Sequence, residues 1–344
     1  MKAVGYIEPQ AIDQDTALMD IELDKPTATG RDLLVKVQAV SVNPVDTKIR
    51  RSAKPDNGQA KVLGWDAVGE VVATGDQAQW FNVGDKVWYA GDITRAGSNA
   101  EYQLVDERIV AAKPRSLTDA DAAALPLTGI TAWELLFDRL DFTPRGTSES
   151  ETGKPQARIL IIGAAGGVGS ILTQLAAKLT NAVVIGTASR EQTQQWVKNL
   201  GADHVINHHQ PMQPQLTELG IESVSHVISL THTDQHFDQL VEVLAPQGKL
   251  ALIDDPAQPL DVMKLKRKSL SLHWELMFTR AMFNTWDIAK QHELLTQIAQ
   301  MIDDGTLKTT VGEHFGTINA ANLKRAHAHI ESNQAVGKIV LEGF

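Results

Sequence analysis

Nine residues constrain this chain more than any others: Ile161-Ile162-Gly163-Ala164-Ala165-Gly166-Gly167-Val168-Gly169. An apolar run ends at Gly163, where the chain must turn so tightly that Cβ atoms would clash. Gly166 lets the backbone approach a pyrophosphate, and Gly169 lets a following helix pack close against the strand. The start of that helix presents unpaired N–H groups and the positive end of its dipole to an anion. The match is A-x-G-x-x-G with an extra glycine upstream. It makes Gly163, Ala165, Gly166, Gly167, Val168 and Gly169 the candidate cofactor-binding residues.

A glycine turn alone is a weak signal; its surroundings strengthen it. Arg158–Gly163 reads as a strand, Gly167–Leu179 as a helix, Ala182–Thr187 as a strand and Glu191–Leu200 as a helix. His204–Asn207, Val224–Leu230 and Lys249–Asp254 continue as strands with helical stretches between them. Apolar strands interleaved with helices imply a parallel sheet covered on both faces. The stretch Ile159 to Ala177 is apolar and about long enough for a membrane span. Its glycines fit a strand–turn–helix better, and no membrane association is expected.

The next strand bears on which dinucleotide is bound. An NAD site would place an acid on the ribose 2′-hydroxyl about 20 residues downstream. Here the strand ends Gly186-Thr187-Ala188-Ser189-Arg190, with no acid until Glu191. A hydroxyl followed by a guanidinium suits the 2′-phosphate of NADPH. The alternative is that Arg190 merely starts an exposed helix capped by Ser189.

Upstream, the first 110 or so residues read as short strands between turn signals, such as Asp32 to Val42, Ala67 to Thr74 and Lys86 to Ala90, and suggest a barrel-like β lobe. From Thr118 the sequence turns Ala-rich and helical. The polar stretch Thr143–Ala157 reads as a surface loop, Ile288–Gly305 as an amphipathic helix and Lys338–Leu341 as a last strand whose partner stays open. A length of 344 residues suits two domains. The net charge of −10 argues against nucleic acid and anionic lipid as partners. With no cysteine, disulfides, thiolate metal sites and a cysteine nucleophile are excluded. Met1 to Gln10 lacks the apolar core of a secretory signal, so a cytoplasmic location is expected.

The segments SVNPVDTKIR (Ser41–Arg50), LGWDAVGEVVATG (Leu63–Gly75), VGDKVWYAGD (Val83–Asp92), NAEYQLVDE (Asn99–Glu107) and LPLTGITAWELL (Leu125–Leu136), with the glycine turn, resemble the medium-chain dehydrogenase/reductase superfamily. The resemblance extends over the whole chain and is nearest the zinc-type alcohol dehydrogenase-like and quinone oxidoreductase subgroup. It implies an α/β protein: a GroES-like β-barrel domain (1–127 and 279–344) and a Rossmann doubly wound parallel sheet (128–278), with the active site in the cleft between them. It also implies a homodimer or homotetramer. Zinc-dependent members hold the metal at positions that here carry Asn43, Trp65 and Leu127, and their Gly-His-Glu motif reads Gly64-Trp65-Asp66. No metal is therefore expected. The pairs His232/His236, His208/His209 and His327/His329 lack a third partner at ligand spacing.

The resemblance places Asn43 and Thr131 beside the nicotinamide as the candidate catalytic residues; their bland readings are a turn residue before Pro44 and a buried helix-start hydroxyl. Quinone oxidoreductases often carry a tyrosine where this chain has Lys54. Trp65, Trp88, Tyr89, Trp274 and Phe278 are candidates for an aromatic pocket, or for plain core. Without a Lewis acid, acceptors that spread the incoming charge are favoured. The expected function is hydride transfer from NADPH to quinones or α,β-unsaturated carbonyls. The rivals are a reductase or dehydrogenase of simple aldehydes, ketones or alcohols, and a weakly catalytic, crystallin-like NADPH-binding protein. RNA binding, which the resemblance allows, is disfavoured by the acidic charge.

Overall fold

The computed structural model describes residues 1–55, 58–145 and 156–344. Most of the loop expected at Thr143–Ala157 lies outside the described residues. The chain divides into two units, Met1–Ile130 with Met277–Phe344, and Thr131–Leu276.

In the first unit, β1 (Lys2–Tyr6), β2 (Met19–Glu22) and β4 (Lys61–Val62) form a small antiparallel sheet. A larger sheet is built on β3 (Asp32–Val42), whose alternate and then continuous apolar residues are buried on both sides. It joins β5 (Asp66–Thr74), β6 (Lys86–Tyr89), β7 (Tyr102–Asp106), β8 (Val110–Ala112), β15 (Val311–His314) and β16 (Lys338–Glu342). Their order is β15-β16-β3-β5-β6-β8, with β7 also paired to β3. The last strand, left without a partner by the sequence, returns here: β16 runs antiparallel to β3 with Ile339 opposite Val42. β3 and β5 pair with Ser41 opposite Asp66. These two registers bring residues 41–43, 66 and 338 together. Helix α1 (Pro44–Ser52) starts directly after β3, α2 (Asp119–Ala123) follows β8, and α3 (Pro126–Trp133) carries the chain into the second unit.

The second unit is a six-stranded parallel sheet ordered β11-β10-β9-β12-β13-β14. Its elements alternate as β9 (Arg158–Ile162), α4 (Gly167–Leu179), β10 (Val183–Thr187), α5 (Glu191–Asn199), β11 (His204–Ile206), α6 (Met212–Glu218), β12 (Val224–Ser229), α7 (Thr233–Val243), β13 (Leu244–Leu252) and β14 (Ser271–Trp274). Leu160, Ile162, Ile185, Val227, Leu250 and Leu252 of the strands pack with Phe237 and Leu240 of α7 in one buried core. The apolar stretch from Ile159 is thus split between β9 and α4. Among the described residues no helix is long and apolar enough to cross a membrane.

The structure extends the sequence reading in four places. β13 starts at Leu244, not Lys249, because Leu244 pairs with Val224 ahead of a register shift. β14 is an edge strand with Ser271 and Trp274 exposed, so it has no continuous apolar run to reveal it. After α3 the helix widens into a π-helical segment, Glu134–Arg139. In the tail, α8 (Thr279–Met282) and α9 (Lys290–Asp303) precede α10 (Ala320–Glu331), which the sequence reading did not mark.

Gly169 is where the fold tolerates least. A Cβ there would lie 2.4 Å from Gly163 O and 2.6 Å from Ala164 Cα, both backbone atoms that cannot swing aside. Gly169→Ala should therefore push α4 off the strand end, at a cost of about 1–3 kcal/mol. Thermal unfolding of ligand-free protein checks this. An unchanged Tm would mean that the turn is not under this constraint.

Candidate functional site

In the second unit, β9 ends at Ile162 and Gly163 takes φ 80°, a left-handed conformation that glycine adopts without penalty. Gly163 N–H donates to Thr187 Oγ1 (3.0 Å), which ties the turn to the end of β10. Gly166 is the N-cap of α4 and no side chain caps that helix. The amides of Gly167, Val168 and Gly169 therefore begin the helix without intrahelical acceptors and with the positive dipole end behind them. Strand order reverses between β9 and β12, and the crevice at such a switch point is where ligands of doubly wound sheets sit. Thr231, just past β12, closes on the turn: its Cγ2 would be 3.0 Å from a Cβ on Gly163. Ala165 stands half-buried between the two glycines.

Ser189 and Arg190 follow β10, which lies beside and parallel to β9. They therefore share the sheet's carboxyl edge with the glycine turn. Ser189 is half-buried and Arg190 exposed. The N-cap position of α5 falls on Arg190, whose N–H donates to Thr193 Oγ1 (3.2 Å), so Ser189 is not the cap.

Asn43 belongs to the first unit and Thr131, a 5% exposed residue of α3, opens the second. Asn43 is wholly buried and its carboxamide is clamped at both ends. Nδ2 donates to Asp66 Oδ2 (2.7 Å), and Oδ1 accepts from the Lys338 ammonium. Lys338 also donates to Asp66 Oδ2 (3.0 Å), and Ser41 Oγ donates to the same oxygen (2.6 Å). Asp66 Oδ1 accepts the Leu127 N–H (2.7 Å) at the start of α3. Asn43 N–H donates to Asp46 Oδ2 (2.7 Å). Burial pushes the Asp46 carboxyl up to about 7, against the pull of that N–H and of Lys338.

A zinc ion does not fit this donor set. The Lys338 cation already sits between Asn43 and Asp66, where a second cation would be repelled. The Trp65 indole can only donate, and it spends its N–H on Asp92 O (3.3 Å) while packing edge-on against Phe278 at 5.9 Å. Leu127 offers only its backbone. Among the described residues no three His, Asp or Glu side chains are grouped to hold a metal. His208 stacks near His209 and His236, with ring centres 4.5 and 6.0 Å away, and burial first, then these imidazoles, hold it down at about 4. Of the aromatic candidates, Trp65, Trp88, Tyr89 and Phe278 are buried in the first unit. Trp274, in the second, is exposed. Lys54 is exposed and pairs with Glu8 (3.2 Å).

Asp66 and Lys338 escaped the sequence reading as site residues. Asp66 stood inside the Gly64-Trp65-Asp66 motif, and a charged residue opening an otherwise apolar strand was the available signal for Lys338. Two buried glutamates of the second unit, Glu134 and Glu275, escaped it too.

Two units of this kind, a β-barrel-like lobe and a doubly wound parallel sheet with a glycine turn at its switch point, define a class of two-domain oxidoreductases. A family described as alcohol dehydrogenase GroES-like domain matches residues 29–115, and one described as zinc-binding dehydrogenase matches residues 200–341. The chain is 39% identical over 341 residues to a zinc-type alcohol dehydrogenase-like protein of Staphylococcus epidermidis, covering 99% of each chain. It is 28% identical to 2-methylene-furan-3-one reductase of Solanum lycopersicum, over 99% of this chain and 79% of that one. A solved Rhizobium etli structure, described as a zinc-dependent alcohol dehydrogenase protein, superposes with TM-score 0.94 at 53% identity, covering 100% and 98% of the two chains. Escherichia coli quinone oxidoreductase, solved with NADPH, shares the fold with TM-score 0.83 at 24% identity, covering 99% and 100%. The chain belongs to the medium-chain dehydrogenase/reductase superfamily and is an oxidoreductase of that family.

The ionic cluster can be tested by a double-mutant cycle. Lys338→Met or Asp66→Asn alone leaves one buried charge unpaired and should cost about 3–5 kcal/mol. The double variant should lose clearly less than the sum of the two, as read by denaturant unfolding. Additive losses would mean that the two groups do not compensate one another.

Proposed function

We propose that the protein transfers hydride from NADPH to a quinone or an α,β-unsaturated carbonyl, without zinc. The observation that carries this reading is a glycine turn with room for a pyrophosphate in a chain whose metal-ligand positions hold Asn43, Trp65 and Leu127, the first of them clamped by the Lys338–Asp66 ion pair. NADPH, when bound, supplies the hydride. The chain's own residues do the rest. Gly163, Ala165, Gly166, Gly167, Val168 and Gly169 leave room and amides for the pyrophosphate, and Ser189 with Arg190 meets the 2′-phosphate. Thr131 orients the nicotinamide through its hydroxyl. Asn43 presents an amide whose rotation is fixed by Asp66 and Lys338.

Among the described residues no group of side chains could hold a metal to polarise an isolated carbonyl. A conjugated acceptor needs less help, because the arriving charge spreads over the enone or quinone. The tomato relative, a reductase by name, fits a small conjugated substrate. We place the protein in the cytoplasm as a homodimer or homotetramer, in keeping with its family, with neither nucleic acid nor membrane as partner.

Two measurements test the reading. Arg190→Ala removes a charge-assisted contact of about 1.5–3 kcal/mol. NADPH should weaken about ten- to a hundredfold while NADH hardly changes. An unchanged ratio of kcat/KM for the two cofactors would remove the case for NADPH. A panel of quinones, enones, saturated ketones and aldehydes, followed by NADPH absorbance, tests the acceptor. A matched enone should be reduced far faster than its saturated ketone, and equal kcat/KM values would sink the substrate assignment. Tight NADPH binding with no turnover of any acceptor would favour the crystallin-like alternative.

A further inference from the structure

Four histidines of the second unit stand outside this scheme. His208 and His209 follow β11, His232 is the N-cap of α7, and His236 lies in the first turn of that helix. The His208 ring is 4.5 Å from that of His209 and 6.0 Å from that of His236, centre to centre. His208 and His236 are half-buried, and His209 is exposed. The Nδ1 atom of His208 is itself buried and meets no hydrogen-bond partner among the described residues. Buried polar atoms are ordinarily paired, so one left open in a cluster of basic rings points to a ligand.

Four hydrogen bonds hold the two sides of the cluster in place. Asn207 N–H donates to Gln215 Oε1 (2.8 Å), and Gln215 Nε2 donates back to Asn207 O (2.9 Å), which fastens the turn after β11 to α6. His209 N–H donates to Asn207 Oδ1 (2.9 Å), so the turn is also held from within. Met212 N–H, at the head of α6, donates to Gln239 Oε1 of α7 (3.0 Å). The rings from β11 and α7 thus meet on anchored backbone.

The strand register fixes where they meet. β10 and β11 run parallel with Thr187 opposite Ile206, and Ala188 N–H donates to Ile206 O (3.0 Å). Ser189 and His208 each stand two residues beyond that pair, at neighbouring strand ends on the carboxyl edge of the sheet. Ser189, with Arg190, is where the 2′-phosphate is proposed to sit. Toward β12, the Thr231 hydroxyl is bonded to His232 Nδ1 (2.7 Å), beside the glycine turn. We propose that His208, His209 and His236 form a proton-linked subsite for the 2′-phosphate, taking up a proton as NADPH binds and so favouring NADPH over NADH more strongly in acid than in alkali. The inference rests on the NADPH reading given above.

In the free protein, imidazoles this close resist charging, because each proton taken repels the next. Burial first, and then the neighbouring histidines, hold His208 down at about 4 and lower His236 as well. The carboxylates facing the cluster are Asp234 on α7 and Asp254 beyond β13. Asp254 is already engaged by the Thr233 N–H (2.9 Å) and hydroxyl (2.5 Å). A phosphate monoester brings nearly two negative charges at neutral pH. It reverses the balance, since an imidazolium N–H then donates to a charged oxygen. A group that holds its proton more tightly in the complex strengthens binding as pH falls. That gain is lost once pH rises above its value in the complex. NADH has no 2′-phosphate and should show no such slope.

The probe is adenosine 2′,5′-bisphosphate, compared with 5′-AMP, titrated calorimetrically into wild type, His208→Phe and His208→Arg. Wild type should bind the bisphosphate several-fold more tightly at pH 6 than at pH 8, on either side of the ordinary imidazole value, with little change for AMP. The phosphate's own titration near pH 6 works the other way, so this slope belongs to the protein. At pH 7 the phosphate has lost most of its second proton, and heats in buffers of different ionisation enthalpy should show net proton uptake. His208→Phe keeps a ring but not the proton, and should lose most of the slope and the uptake. His208→Arg carries a permanent cation, and should bind the bisphosphate at pH 8 as tightly as wild type does at pH 6. Equal slopes in wild type and His208→Phe would overturn the subsite, and so would the lack of proton uptake by wild type. In either case tighter binding of the bisphosphate than of AMP would still support NADPH. Equal binding of both probes by wild type at every pH would instead overturn the NADPH reading, and this inference with it. If His208→Phe does not fold, His236→Gln reports on the same slope, and proton uptake by wild type needs no variant.

Discussion

The first unit depends on Asp66 finding its donors. Its carboxylate takes four of them from three separate stretches of chain: Ser41 and Asn43 where β3 gives way to α1, the Leu127 N–H opening α3, and Lys338 opening β16. Asp66 and Lys338 are 272 residues apart in sequence. An isolated buried carboxylate costs several kcal/mol, so the lobe is not electrically complete until its last strand is in place. The interaction does more than hold the termini. It fixes the rotation of the Asn43 amide and the first turn of α3, and Thr131 lies one turn further along that helix.

The second unit solves the opposite electrostatic problem. The chain carries a net charge of −10, yet the proposed cofactor is a polyanion. No broad basic surface is needed, because the attraction is local. The uncapped amides of α4 and the positive end of its dipole converge on one point, and Arg190 lies on the same sheet edge. The glycines make this possible by removing atoms. With side chains at 163 and 169, the turn would collide with Thr231 and with its own backbone. On the proposed reading, binding would come from space and from N–H groups without intrahelical acceptors, which net charge does not report.

The same distinction explains how much of the molecule was legible in its sequence. α4 was readable to the residue, since glycine stereochemistry sets its start and apolar periodicity runs to Leu179. The parallel sheet was readable because buried strands give continuous apolar runs. β14 was not: it is exposed at both ends and mixes His and Ser with Leu and Trp. The small sheet of β1, β2 and β4 was not either, as β4 spans only Lys61–Val62. In the candidate site, the backbone contributions were legible and the side-chain partnerships were not. Asn43 could be picked out, but its clamp by Lys338 follows from the register of β16 against β3, a fact of tertiary pairing that periodicity does not carry. Glu275 reads as an ordinary charge between Trp274 and Leu276, both exposed. Its burial appears only when Arg139, 136 residues away in sequence, is brought against it.

The two buried ionic clusters differ in a way that fixes their roles. Around Asp66 one carboxylate meets one ammonium, and three further donors fill its remaining lone pairs. Charge and hydrogen bonding close together, and the group is suited to hold geometry constant. Around Glu275 there are two carboxyls, one partly exposed guanidinium and an oxygen without a donor. The Arg139–Glu275 pair is made by packing between a helix and the end of an edge strand, whereas the Asp66 cluster is closed by the registers of β3, β5 and β16 within one sheet.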